Sequence, residues 1–186
     1  LVAATLISTH QSETAQQLIL NMSVDPDPAV AAIALRRLLE IDPLLITPLS
    51  AQLIVHPDPN VRQLTAQSLV SQASTQAVTL LGPRLDDVNP DLRLFVRNNL
   101  IQLSKRSDLT QSVLEQAVGM LSGDRWRGLE QAAIVLGRLD HESVSKRLLQ
   151  LMRFNRHEVR VAAVAALRWL EMPEHLPTIL ERAEEM

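Results

Sequence analysis

The stretch Asp58-Pro59-Asn60-Val61-Arg62-Gln63-Leu64-Thr65-Ala66-Gln67-Ser68-Leu69 sets a frame that the rest of the chain repeats. Asp27-Pro28-Ala29-Val30 stands one period before it and Asn89-Pro90-Asp91-Leu92 one period after, and the valine or leucine that ends each is followed eight positions on by a leucine: Leu38, Leu69 and Leu100. The same frame returns at Val159 and Leu167, and in degraded form at Gly128 and Leu136, so the leucine-to-leucine spacings run 31, 31, 36 and 31. A fixed period in this range marks a solenoid, in which each helical hairpin buries its apolar face only against its neighbours.

Within the frame, Val61, Thr65, Leu69 and Gln72 fall at offsets 0, 4, 8 and 11. At roughly 100° per residue they lie within about 80° of one another on a helix. The first, third and fifth units carry Val30, Ala34, Leu38 and Ile41; Leu92, Val96, Leu100 and Leu103; and Val159, Ala163, Leu167 and Leu170 at those offsets. This face is predicted to pack on a partner helix. The Asp-Pro or Asn-Pro pair before it is a helix-start signal, because the side chain accepts free backbone N–H groups and proline needs none there.

Between these second helices the sequence predicts first helices over 14–24, 44–55, 75–85, 108–121 and 142–154. Pro48 and Pro83 fall inside two of them and should kink or shorten each. The five residues that stretch one spacing to 36 fall around Ser104–Leu109, where a longer connection is the expected way to absorb them. Residues 1–10 and 176–186 read as halves of further hairpins, so the expectation is a single domain over 1–186, about five hairpins cut from a longer protein. The fourth unit departs most. Gly123-Asp124-Arg125-Trp126-Arg127-Gly128 replaces the Asp-Pro start and puts tryptophan in the proline position.

Composition agrees with an all-α stack: 46% of the 186 residues are hydrophobic but only 2% aromatic, so the core must be built from Leu, Ile, Val and Ala. The chain has no cysteine, which removes thiol chemistry and disulfides and is compatible with a cytoplasmic setting. A net charge of −3 provides no general attraction to nucleic acid or anionic lipid, although residues 97–168 hold twelve Lys or Arg against seven Asp or Glu. No apolar run reaches the roughly 18 residues of a membrane span.

The pattern Asp58-Pro59-Asn60-Val61-Arg62, with His157-Glu158-Val159-Arg160 running on through Ala166-Leu167, resembles the HEAT repeat, and in particular the short HEAT-like repeats of bilin lyases and bacterial scaffold proteins. The resemblance covers about residues 14–186, with Ala31 standing where arginine is expected. It implies a right-handed α-α superhelix of antiparallel helix pairs, second helices lining the concave side, acting chiefly as a protein-binding scaffold. The recurring Arg62, Arg93 and Arg160 are expected to bridge to neighbouring carboxylates and carbonyls, with Asp58 and Asn89 four residues before the first two as local partners.

Two enzyme families of this kind offer comparisons. Deoxyhypusine hydroxylases ligate two irons through His-Glu dipeptides on second helices, but here His157-Glu158 precedes the helix valine and His141-Glu142 lies in a connection, two dipeptides where four are needed. HEAT-like DNA glycosylases need a basic groove and a stacking aromatic. Trp126 with Asp124, or Trp169 with Glu171, could fill those roles, yet four aromatic residues in the chain are a thin supply. No glycine-rich phosphate loop is present. The sequence therefore predicts no catalytic residue, cofactor or metal.

If offsets 0, 4, 8 and 11 pack inward, offsets 2, 6 and 10 face the groove. These are Ala32, Arg36 and Glu40; Gln63, Gln67 and Ser71; Leu94, Asn98 and Gln102; Glu130, Ile134 and Arg138; Val161, Ala165 and Trp169. Arg36, Gln63, Gln67, Leu94, Asn98, Glu130, Ile134, Arg138 and Trp169, together with Trp126, are the candidate contacts for a protein or peptide partner. Nucleic-acid binding by the basic stretch 97–168, and a structural spacer between further repeats, are the alternatives.

Overall fold

The structure, a computed structural model, describes residues 13–171 and Pro177. It is all-α: among the described residues every regular element is a helix. Helices α1 (Glu13–Met22) and α2 (Pro28–Ile41) form the first hairpin. A 3-10 turn (Pro43–Leu49) running into the short α3 (Ser50–Leu53) packs on α4 (Pro59–Gln72). Next come α5 (Thr75–Leu81), a 3-10 turn (Gly82–Asp86), α6 (Pro90–Leu103), α7 (Ser107–Leu121) and α8 (Trp126–Arg138). A 3-10 turn (Glu142–Val144), α9 (Ser145–Leu151) and α10 (His157–Trp169) complete the series. The chain divides into two compact units, with the boundary between Leu81 and Gly82. The half-hairpins expected over 1–10 and 176–186 lie outside the described residues, Pro177 apart.

Three second helices start as the Asp-Pro signal predicts. Asp27 accepts the Ala29 N–H at 2.9 Å, Asp58 accepts those of Asn60 and Val61 at 2.8 and 3.2 Å, and Asn89 accepts that of Leu92 at 3.0 Å. Each such cap contributes about 1 kcal/mol, since it satisfies a donor the helix leaves free. The internal prolines act as expected. Pro48 lies within the 3-10 turn and leaves α3 only four residues, while α5 stops two residues before Pro83 and continues as 3-10. Without an N–H, proline cannot make the i to i−4 bond, and the tighter turn absorbs the clash.

The five extra residues are placed differently from the expectation of a longer loop. The connection from α6 to α7 spans only residues 104–106, and α7 runs 15 residues without a break. With no proline to interrupt it, this first helix takes up most of the insertion as extra helical length, which satisfies backbone groups that a loop would leave to water.

In the unit up to Leu81, Ile19, Leu35, Leu38, Ile46, Leu53 and Val61 form one buried cluster. In the unit from Gly82 on, Leu92, Val96, Leu100, Val159, Ala163 and Leu167 are buried as the frame predicts. Val30, Ile41 and Gln72 are only partly buried. A second stripe was not foreseen: Ala31, Leu35, Leu64, Leu129, Val135, Ala162 and Ala166 are buried as well. α10, for example, packs on both α8 and α9, so one stripe does not suffice.

Candidate functional site

The groove candidates fall in both units. In the first, Arg36 on α2 and Gln67 on α4 are exposed and Gln63 is half-buried. In the second, α6, α8 and α10 carry the remainder of the strip. Leu94 is 46% exposed and Val161 48%. Asn98 and Arg138 are exposed, while Glu130, Ile134 and Trp169 are half-buried.

The structure brings two of these candidates into contact. The Arg138 guanidinium carbon lies 4.0 Å from the Trp169 ring centroid, a cation–π contact worth about 0.5–1 kcal/mol at an exposed site. Behind the ring, Gly137 leaves room for it, since a Cβ there would come within 2.9 Å of Trp169 Cε3. The indole is thus braced by the Gly137 backbone and the Arg138 side chain. On α6, Arg97 donates to Gln131 Oε1 of α8 and to Asn98 Oδ1, both at 3.2 Å. Burial lowers the Arg97 pKa from its usual value, Glu130 opposes the shift, and Arg138 reinforces it.

Trp126 lies apart from this pair, at the first position of α8, and its setting is determined by a missing cap. Arg125 holds the N-cap position and its side chain makes no capping bond. The cap comes instead from Asp86, which accepts the Gly128 N–H at 3.2 Å and pairs with Arg125 at 3.3 Å and Arg127 at 3.9 Å. Gly128 permits this approach because a Cβ would stand 3.3 Å from Asp86 Cβ and 3.0 Å from Met120 Cγ. Asp86→Ala should therefore lower stability by about 1–2 kcal/mol, a fall of about 2–8 °C in melting temperature. Asp86→Asn, which keeps the acceptor, should recover most of that loss, and an unchanged melting curve for the alanine variant would mean the borrowed cap is idle.

Around the Trp126 ring stand three arginines, with the guanidinium carbons of Arg93, Arg127 and Arg156 at 5.9, 5.4 and 5.1 Å from the centroid. A cavity of about 420 Å³ opens beside the ring, lined by Asp86, Asp124, Arg125, Arg127, Arg156 and the Phe154-Asn155 turn. Sequence reasoning named Trp126 but missed its surroundings. Arg125 and Arg156 stand one full period apart, at the position where earlier units have Asp27, Asp58 and Asn89, so the frame itself carries that signal. Asp86 carried none, being 42 residues from the helix position it caps.

The recurring arginines bind backbone. Arg62 donates to the His56 and Pro57 carbonyls at 2.8 Å, Arg93 to those of Asp87 and Val88 at 2.7 and 3.2 Å, and Arg160 to that of Phe154 at 3.1 Å. Each ties a second helix to the loop before it. The carbonyl bridges expected of them are present, five and six residues upstream.

Among the described residues no three or more His, Cys, Asp or Glu converge as a metal site would require. His141 Nε2 lies 2.7 Å from Ser143 Oγ, a contact between residues two apart at the start of the 3-10 turn 142–144. No described helix is long and apolar enough to cross a membrane.

No protein-family model matches this sequence, and no curated protein does. Solved structures of helical repeat type are similar at low identity. An engineered protein superposes with a TM-score of 0.49 at 16% identity over 93% of this chain and 88% of the other. A designed armadillo repeat protein in complex with the peptide (KR)4 gives 0.46 at 13% over 91% and 90%. A second designed armadillo repeat protein gives 0.45 at 14% over 91% and 92%.

Proposed function

We propose that this chain is a non-catalytic scaffold of HEAT-like repeats that holds an extended protein segment on the strip presented by α6, α8 and α10. The observation that carries this reading is the Arg138–Trp169 contact between α8 and α10, together with the exposure of Leu94 on α6 and Val161 on α10. A tryptophan already braced by its neighbours loses little side-chain entropy on binding, and Trp and Arg are the residue types that dominate binding energy in interfaces. Asn98 and Gln102 add amides able to accept and donate to a peptide backbone. The HEAT-like assignment is supported by the frame and by the arginine-to-carbonyl bonds that recur with it.

The test is selection of binding peptides from a random display library, followed by titration of the best binder against wild type and an Arg138→Ala, Trp169→Ala double variant. Affinity should fall at least tenfold in the variant with the circular dichroism spectrum unchanged, and the Trp169 indole N–H resonance should shift on binding. Equal affinity in both proteins would refute the strip as the binding surface. Binding to duplex DNA with a steep salt dependence, and to no peptide, would favour the nucleic-acid alternative.

A further inference from the structure

We propose that the cavity beside Trp126 is a second binding site, and that it receives the carboxylates of an acidic peptide segment. The side chains around it are ones a plain scaffold would avoid. Arg127 and Arg156, both in the lining, lie within 6 Å of the Trp126 ring centroid, and Arg125 joins them at the rim with its side chain 80% exposed; Arg93, also within 6 Å of the ring, is held by the Asp87 and Val88 carbonyls and lies outside the lining. Only Asp86 and Asp124 oppose them in the cavity lining, and the Asp86 carboxylate is already engaged by the Gly128 N–H and two arginines.

The placement of two arginines costs stability. Arg125 and Arg156 occupy the N-cap positions of α8 and α10, where neither side chain makes a capping bond. A cation there also opposes the positive end of the helix dipole. The first three units use Asp27, Asp58 and Asn89 at the same position, so a stabilising residue was available in the repeat itself. Two consecutive units give it up, and both replacements line the same cavity. Breaking a local rule twice toward one point is the pattern of a functional site.

The chemistry follows from the side chains. A guanidinium presents a planar fork that pairs bidentately with a carboxylate, and several forks around one aromatic face suit closely spaced acidic side chains. The indole and Phe154 supply an apolar wall for the stems of those side chains or for an intervening hydrophobic residue. Asp124, which is exposed, repels anions from its own part of the rim. The cavity involves neither Arg138 nor Trp169, so this site stands or falls separately from the strip.

The experiment uses the full chain with ¹⁵N-labelled tryptophan. Two tryptophans give two indole N–H resonances, one reporting this cavity and one the strip, assigned by the loss of one of them in Trp126→Phe. The probe is an acetylated, amidated nonapeptide alternating glutamate and leucine. A lysine-for-glutamate peptide, inorganic phosphate and a short DNA duplex form the comparison arms. The acidic peptide should shift the Trp126 resonance saturably, weakening as salt is added, and the lysine peptide should not. In an Arg125→Asn, Arg156→Asn variant, which removes both guanidiniums and leaves Asp86 on the Gly128 N–H, affinity should fall at least tenfold with the circular dichroism spectrum unchanged. The proposal is overturned if the acidic peptide produces no saturable shift, or if the variant binds it as tightly as wild type. It is equally overturned if phosphate or the duplex shifts Trp126 where the acidic peptide does not.

Discussion

Gly137→Val should lower the melting temperature by about 6–12 °C, corresponding to a loss of about 3 kcal/mol. The sign is opposite to what helix propensity predicts, since glycine inside a helix is about 1 kcal/mol worse than alanine. What reverses it is the neighbour. A Cβ at Gly137 would come within 2.7 Å of the Ala166 Cα and 2.8 Å of its Cβ, on a packed helix that cannot rotate aside. α8 and α10 would have to separate along their contact, losing dispersion along its whole length. The indole of Trp169, 2.9 Å from the same point, would be displaced as well, so the substitution should also weaken any ligand held on the strip. Gly119→Ala is the control: nothing lies within 4 Å of a Cβ there, and the variant should be more stable by up to about 1 kcal/mol. Thermal unfolding followed by circular dichroism reads both. A Gly137 variant as stable as wild type would mean that α8 and α10 pack less closely than the structure has them.

Leu100→Ala should cost about 2–5 kcal/mol, enough to put a chain of ordinary stability close to unfolding at physiological temperature. Leu100 is fully buried at the eighth position of its frame, on α6, where it packs with the other apolar residues of the unit. Removing most of its side chain loses the transfer free energy and leaves a cavity that a helix stack closes only in part. Leu94, six residues earlier on the same helix and 46% exposed, supplies the comparison. Leu94→Ala should change stability by no more than about 0.5 kcal/mol while reducing affinity for a strip ligand. Urea titration would separate the two effects, and comparable losses for Leu94 and Leu100 would show that the frame does not define the inner face.

These two variants also mark how far the sequence could be read. Leu100 could be assigned to the core from spacing alone, because a helical period places it on the face of Leu92 and Val96 whatever the neighbouring repeats do. The caps at Asp27, Asp58 and Asn89 and the breaks at Pro48 and Pro83 were legible for the same reason: a cap or a proline acts on backbone groups within a few residues. The strip proposed for binding, with Leu94, Asn98, Ile134, Arg138 and Trp169, rests on elimination, as what remains when the inner face is removed. The second buried stripe, with Leu64, Leu129 and Ala166, did not follow. Burial there depends on how closely adjacent helices approach, and composition alone does not set that distance.

The sequence by itself determined the architecture, an all-α series of second helices entered at a regular period, because helical periodicity and capping are short-range. It also marked the fourth unit, with Trp126 in the proline position, as the departure from the repeat. Only the tertiary structure decided what that departure does. Asp86 reaches 42 residues along the chain to cap α8, Arg156 arrives at the Trp126 ring from the start of α10, and Gly137 meets Ala166 across a helix contact. Each depends on the distance between side chains carried by different helices, and that distance is fixed by packing the repeats together, after every local preference has been satisfied.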